Sequence, residues 1–321
     1  MNVLDRLPSG SRIAIIRLRS LGDCVLSTPA LSLLKRHRPD LKISVIVEPR
    51  FAEIFAGNPD VDETRDSPSR DGTRADLVLN LHGGTRSMVL TALSRAKFRA
   101  GFAHHRYSVV YSHKIPSAQE ILGVQQRVHT AEHLASAMFW LGVPRQHIPR
   151  ARLFAEPLPD RRPYAVIHPF ASAPDKAWPA ERFIEIARHL NLDPIFLAGP
   201  TDDLKPFADF PTSRESLAIT KSLIAGASLF IGNDSGPAHI AAAFGIPVVV
   251  LFGPSDPVTW APWRTESQVL TSPAIAGIST HQVIAAIEKL IPVPLPNTAP
   301  PTLDALPSRD RRERSFEKAR P

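Results

Sequence analysis

Cysteine is nearly absent: Cys24 is the only one in 321 residues. A lone thiol excludes an intramolecular disulfide and a cysteine-based zinc site, and it fits a reducing compartment. Aromatic residues are scarce at 7%, so the core must rest on Ala, Leu, Ile and Val. No apolar run approaches the roughly 20 residues of a membrane span. The first eleven residues, Met1–Ser11, are too short and polar to be the apolar region of a signal peptide. The dinucleotide fingerprint G-x-G-x-x-G is missing. These absences lead to the expectation of a cytoplasmic chain that is at most peripheral to a membrane.

Proline, by contrast, is abundant. The 32 prolines are about twice the usual frequency of ~5%, which excludes a coiled-coil or long-helix protein. Lys plus Arg outnumber Asp plus Glu by 38 to 31, a net charge of +7 and a pI near 9.8. That excess suggests an anionic partner: a nucleotide, a phospholipid surface, an anionic glycolipid or a nucleic acid. Nucleic acid is the weakest of these, because no stacking-aromatic motif or basic recognition helix accompanies the charge.

Along the chain, apolar runs alternate with helical patterns. Strands are expected at Arg12–Leu18, Lys42–Val47 and Asp76–Leu81. Helices are expected from about Cys24 to His37, at Phe51–Ala56, around Ser87–Leu93 and over Val128–Trp140. The segment 95–128 has no clear pattern. A proline-rich stretch follows, and the alternation restarts. Strands are expected at Tyr164–His168, Pro194–Ala198, Leu229–Gly232 and Pro247–Phe252. Helices are expected at Pro179–Leu190, ending at Ser222–Ala227, at Ser235–Phe244 and at Thr280–Leu290. Strands alternating with helices mean βαβ units and mostly parallel sheets. The expectation is α/β: an N-terminal Rossmann-like domain at 1–155, a linker at 156–163 and a second such domain at 164–291. A Pro-rich, charged tail at 292–321 is expected to be disordered.

Three constellations sit where strands pass into helices, the places where ligands bind in such folds. The first is Arg17-Leu18-Arg19-Ser20-Leu21-Gly22-Asp23-Cys24. Asp23 at a helix start is either an N-cap or a general base facing the crevice. Arg17, Arg19 and Gly22 are candidate anion or acceptor contacts. Cys24 reads as a packed residue. The second is His168-Pro169-Phe170-Ala171-Ser172-Ala173-Pro174-Asp175-Lys176-Ala177-Trp178. Ser172 offers a hydroxyl, Lys176 a point charge for a phosphate, and Trp178 a packing anchor. The third is Gly232-Asn233-Asp234-Ser235-Gly236-Pro237-Ala238-His239. Here the N–H groups of Ser235 and Gly236 open a helix toward the crevice. Asp234 can accept from sugar hydroxyls. His239, one turn on, is either a hydrogen-bonded structural residue or a ligand contact. His37 and His104-His105-Arg106 lack partners at metal-ligand spacing and read as surface or substrate-side residues.

Taken together and in this order, the three stretches resemble glycosyltransferase family 9, the ADP-heptose:lipopolysaccharide heptosyltransferases. The likeness spans about residues 12–265. It implies the GT-B fold, two Rossmann-like domains facing across a cleft, with acceptor binding mainly in the first and donor binding mainly in the second. It implies an inverting transfer of a heptose, or a related sugar, from an ADP-sugar to an anionic glycolipid acceptor such as a lipopolysaccharide core. That acceptor would place the protein at the inner face of the inner membrane. No metal or other cofactor is expected. By motif position, Asp23 matches the family's catalytic base, Ser172 and Lys176 the diphosphate contacts, and Asp234, Ser235, Gly236 and His239 the donor loop and helix start. Many members have Asp-Thr-Gly where this chain has Asp234-Ser235-Gly236, and the hydroxyl survives that exchange. Another GT-B reaction on a sugar nucleotide, such as epimerisation, and a non-catalytic nucleotide-binding role are the alternatives.

Overall fold

The computed structural model describes residues 2–65, 75–158 and 162–291. The tail expected from residue 292, and part of the linker, lie outside them. Among the described residues, twelve strands form two sheets, and every pairing is parallel. The first sheet holds β1 (Arg12–Ile16), β2 (Lys42–Ile46), β3 (Glu63–Arg65), β4 (Leu77–Asn80), β5 (Phe98–Phe102) and β6 (His113–Ile115). The second holds β7 (Tyr164–His168), β8 (Asp193–Leu197), β9 (Thr212–Ser213), β10 (Leu229–Asn233), β11 (Val248–Phe252) and β12 (Ser267–Thr271).

Their orders are β3-β2-β1-β4-β5-β6 and β12-β11-β10-β7-β8-β9. Counted from its own first strand and read from the β9 edge, the second is again 3-2-1-4-5-6. Both halves are therefore Rossmann folds, with topological switch points between β1 and β4 and between β7 and β10. The helices covering the first sheet are α1 (Leu21–His37), α2 (Pro49–Ala52), α3 (Thr85–Leu93), α4 (Ala118–Leu122) and α5 (Thr130–Leu141). Those on the second are α6 (Ala180–His189), α7 (Leu217–Ala225), α8 (Gly236–Phe244), α9 (Pro257–Trp260) and α10 (Thr280–Leu290). Strands β7, β10 and β11 are buried at every position, as parallel strands covered on both faces must be.

Several sequence expectations shift. The first helix opens at Leu21 rather than near Cys24, because Ser20 takes the N-cap position and Asp23 the N3 position of a capping box. The strand before it ends at Ile16, and residues 17–20 form the turn into the helix. Pro179 precedes α6 as its N-cap instead of lying inside its first turn. The unpatterned segment 95–128 holds β5, β6, α4 and a 3-10 turn at Ser108–Val110. Strands β3, β9 and β12 have no apolar run to reveal them, since each is an edge strand with partly exposed residues.

The halves are joined by apolar contact. One core cluster runs from Leu31 and Leu34 on α1, through Ile148, Ala151 and Leu153 of the connecting segment, to Ala238 and Ile240 on α8. The helices α1 and α8 meet near their N-terminal ends, and two glycines permit it. A Cβ on Gly236 would lie 2.8 Å from the Cβ of Leu21, and one on Gly22 would lie 2.5 Å from Cδ2 of His239.

Candidate active site

The turn after β1 positions Asp23. Its Oδ2 accepts from the Ser20 backbone N–H at 3.3 Å and from the Ser20 hydroxyl at 2.9 Å. Its Oδ1 forms an ion pair with Arg17. Arg17 is itself buried, and its guanidinium also donates to the Leu81 carbonyl at the end of β4. The N-cap alternative for Asp23 is thus replaced by a related one. Asp23 helps cap the helix from N3 and still leaves its side chain 18% exposed toward the cleft. Cys24, next to it, is a packed residue. Burial pushes its thiol up to about 12 against the lowering effect of Arg17, so it is no nucleophile.

Below the α1–α8 contact lies a cavity of about 460 Å³ whose walls include Gly22, Asp23, Ser172, Lys176, Asp234, Ser235, Gly236 and His239. Residues from all three sequence constellations therefore converge on one space. The turns after β7 and β10 are tied together by Asn233. Its Oδ1 accepts from the Trp178 N–H at 3.2 Å, and its Nδ2 donates to the Pro169 carbonyl at 2.8 Å. Trp178 is a buried anchor, with its indole donating to the Ile278 carbonyl at 2.9 Å. Lys176 lies 3.7 Å from Asp234, and the Ser235 hydroxyl is 3.1 Å from Nδ1 of His168. Burial drives both His168 and His239 down to about 4, so both are neutral at pH 7. The buried Nδ1 of His239 has no hydrogen-bond partner, and the ring packs against Gly22. The N-termini of α1 and α8 both face this cavity, and their free N–H groups suit an anion.

On the first half's side lies a second cavity, of about 570 Å³, lined by Arg17, Asp23, His82, His104, His105, Arg106, Arg127 and His133 among others. His104, His105 and Arg106, unpartnered in the sequence, thus face a cavity, while His37 ends α1 elsewhere. The ring of His133 stacks on Phe102 at 4.0 Å, and His105 shares a 2.8 Å hydrogen bond with Tyr111. Burial and neighbouring imidazoles push His105 down to about 4, and burial does the same to His133. Arg127 pairs with Asp256 at 2.9 Å, across from the second half. Arg19 is exposed and lines neither cavity.

A third cavity, of about 410 Å³ and mostly apolar, adjoins the first through Leu21, His168 and Pro237. Phe51, Leu197, Pro200, Leu217 and the charged residues Arg50 and Glu215 are also in its lining. Sequence reading missed these residues. The carboxyl end of β8 was the one usable signal, by the same rule that located the others. Among the described residues, no group of three or more His, Cys, Asp or Glu is placed to hold a metal ion.

Two Rossmann halves whose switch points open onto one cleft, with a carboxylate and convergent helix N-termini between them, define the GT-B fold. The sequence profile of glycosyltransferase family 9 (heptosyltransferase) matches residues 71–284, and the chain belongs to that family. Lipopolysaccharide heptosyltransferase 3 of Escherichia coli K12 is 28% identical, over 87% of this chain and 98% of its own length. The solved family 9 glycosyl transferase of Veillonella parvula superposes with a TM-score of 0.79 at 22% identity, covering 91% of this chain and 98% of that one. The E. coli heptosyltransferase WaaC with ADP does so at 0.73 and 21%, covering 87% and 99%.

Proposed function

We propose that the chain transfers a heptose, or a closely related sugar, from an ADP-sugar to a lipopolysaccharide core or related anionic glycan, with inversion at the anomeric carbon. The observation that carries this reading is the position of Asp23 on the wall shared by the two larger cavities. A base at that junction touches an acceptor on one side and a donor on the other. The names of the relatives supply the sugar and the acceptor class.

In this reading the Asp23 carboxylate takes the proton of an acceptor hydroxyl. The acceptor oxygen forms a bond to the anomeric carbon as the bond from that carbon to the diphosphate oxygen breaks. The electron pair leaves with ADP. Lys176, Ser172 and the N–H groups of Ser235 and Gly236 meet the charge developing on the diphosphate. Asp234 and His239 orient the sugar, and the apolar third cavity takes the nucleoside. Gly22 keeps the two helix starts close enough to act on one substrate, and Arg17 holds Asp23 in place. Arg19 is a candidate acceptor contact at the cleft's outer edge. No metal or other cofactor has a step in this scheme. In this reading a lipid-linked acceptor is met peripherally, at the cytoplasmic face of the inner membrane; no helix among the described residues is long and apolar enough to cross a membrane.

A donor-by-acceptor screen tests the reading. ADP-heptose is set against UDP-, GDP- and dTDP-sugars, with Kdo-bearing lipid A and truncated cores as acceptors. The expected result is a new glycosidic bond from ADP-heptose alone. Transfer from another donor, or a free isomeric sugar nucleotide as the product, overturns it.

A further inference from the structure

Among the described residues, six large apolar side chains are exposed. Four of these, Val89, Leu93, Tyr107 and Val109, lie on two touching elements, α3 and the turn Ser108–Val110 with its N-cap. The helix shows why. Its inner positions Ser87, Met88, Leu90 and Thr91 are buried, and the opposite face carries Val89 and Leu93 one turn apart. That outer face would ordinarily be polar. Val109 is 82% exposed, and no core contact accounts for an apolar residue at the tip of a turn.

The charge on this stretch of the chain has one sign. From Leu77 to Gln119 the chain carries no Asp or Glu, against six Lys or Arg. Arg95, Lys97 and Arg106 are exposed and lie within four residues of Leu93 or Tyr107 in the chain. Arg86, on α3 itself, has Glu48 at 3.8 Å as a distant counter-charge. An apolar centre with a basic rim is the pattern of a surface that enters the headgroup layer of an anionic bilayer. A second copy of the chain fits poorly, since face-to-face pairing would bring two basic rims together.

The face is also one layer from the candidate acceptor cavity. Met88 on the buried side of α3 receives the Tyr111 hydroxyl at 3.0 Å, Tyr111 bonds His105, and His105 lines the cavity. Arg106 lines the cavity and is followed directly by Tyr107 of the patch.

We propose that α3 and the turn Ser108–Val110 form a docking face for an anionic phospholipid bilayer, with Val89, Leu93, Tyr107 and Val109 entering the headgroup layer. The consequence for function rests on the lipid-linked acceptor of the reading above: docking here sets the mouth of the acceptor cavity against the membrane.

The test is sedimentation of the full-length chain with vesicles, either phosphatidylcholine alone or phosphatidylcholine and phosphatidylglycerol in equal parts. The chain is expected to bind the anionic vesicles, to be released by salt, and to ignore the neutral ones. The double variant Leu93→Ser, Val109→Ser should lower the bound fraction about tenfold, since two apolar anchors are lost. Arg95→Gln with Lys97→Gln should lower it comparably at low salt. Neither pair should alter the melting temperature, ADP binding or transfer to an acyl-free acceptor. Three results overturn the proposal: no preference for anionic vesicles, undiminished binding by the Leu93/Val109 variant, or a dimer that this variant dissociates. Vesicle binding that follows the variants supports the face even where no sugar transfer is detected, so failure of the face and failure of the proposed activity are read separately.

Discussion

His239 of the second half occupies the space that Gly22 of the first half leaves open, so that a Cβ on Gly22 would sit 2.5 Å from the imidazole Cδ2. The neighbouring pair repeats the arrangement in reverse, with Gly236 of the second half against Leu21 of the first. The helix starts that frame the proposed donor cavity are therefore held at a distance only glycine allows. Gly22→Ala must move the imidazole or separate the halves. An overpacked buried contact of this kind costs about 1–3 kcal/mol. The variant is expected to melt earlier and to bind ADP more weakly. Unchanged melting and unchanged calorimetric affinity would show that the contact is slack.

Asp23 is engaged at both oxygens, by Ser20 and by Arg17, so Asp23→Asn keeps the shape of the site and much of the capping. Loss of a general base lowers turnover by about 10²- to 10⁴-fold. ADP affinity should stay within a few-fold of the wild type. A variant that retains full turnover removes Asp23 from the role of base.

Lys176 faces Asp234 across the donor cavity at 3.7 Å, close enough to be shared with a diphosphate. A hydrogen bond to a charged group is worth about 1.5–3 kcal/mol. Lys176→Ala should therefore weaken ADP binding by roughly ten- to a hundredfold, with a smaller effect on adenosine, which has no diphosphate. Equal weakening of both ligands would place Lys176 away from the phosphates.

The buried imidazoles make stability depend on pH. His168 and His239 are held at about 4, whereas an imidazole in the unfolded chain titrates near 6.5. Between these values the unfolded chain binds protons that the native one does not. Their contribution is thus complete above pH 6.5 and is lost as the pH falls toward 4, by up to about 3 kcal/mol for each group. The denaturation midpoint in urea should be flat above neutrality and fall below pH 6.5. His239→Gln should make that fall shallower. A midpoint equal at pH 7.5 and pH 5 would mean that these rings take up protons in the native state.

Sequence and structure divide this protein along a physical line. The buried strands β1, β4, β7, β10 and β11 announce themselves as short runs of branched apolar residues, because both faces of a parallel sheet exclude water. The residues that line the donor cavity were legible for a related reason. They follow directly on such strands, where backbone geometry alone places the side chain at the crevice. The segment 95–128 was opaque because its strands are short and interrupted, as in Phe98-Arg99-Ala100-Gly101-Phe102, and its turns are held by tertiary contacts such as Tyr111 with Met88.

The amino-acid order thus determined the two α/β halves, the family and the residues around the proposed donor cavity. It did so because local periodicity and strand–turn–helix spacing are properties of neighbours in the chain. Only the tertiary structure decided that Asp23 stands between two cavities, that His239 rests on Gly22, and that His82, His104, His105 and His133 share one wall. These relations join residues far apart in sequence. They exist because the two sheets pack with their switch points face to face, and no local pattern records that packing.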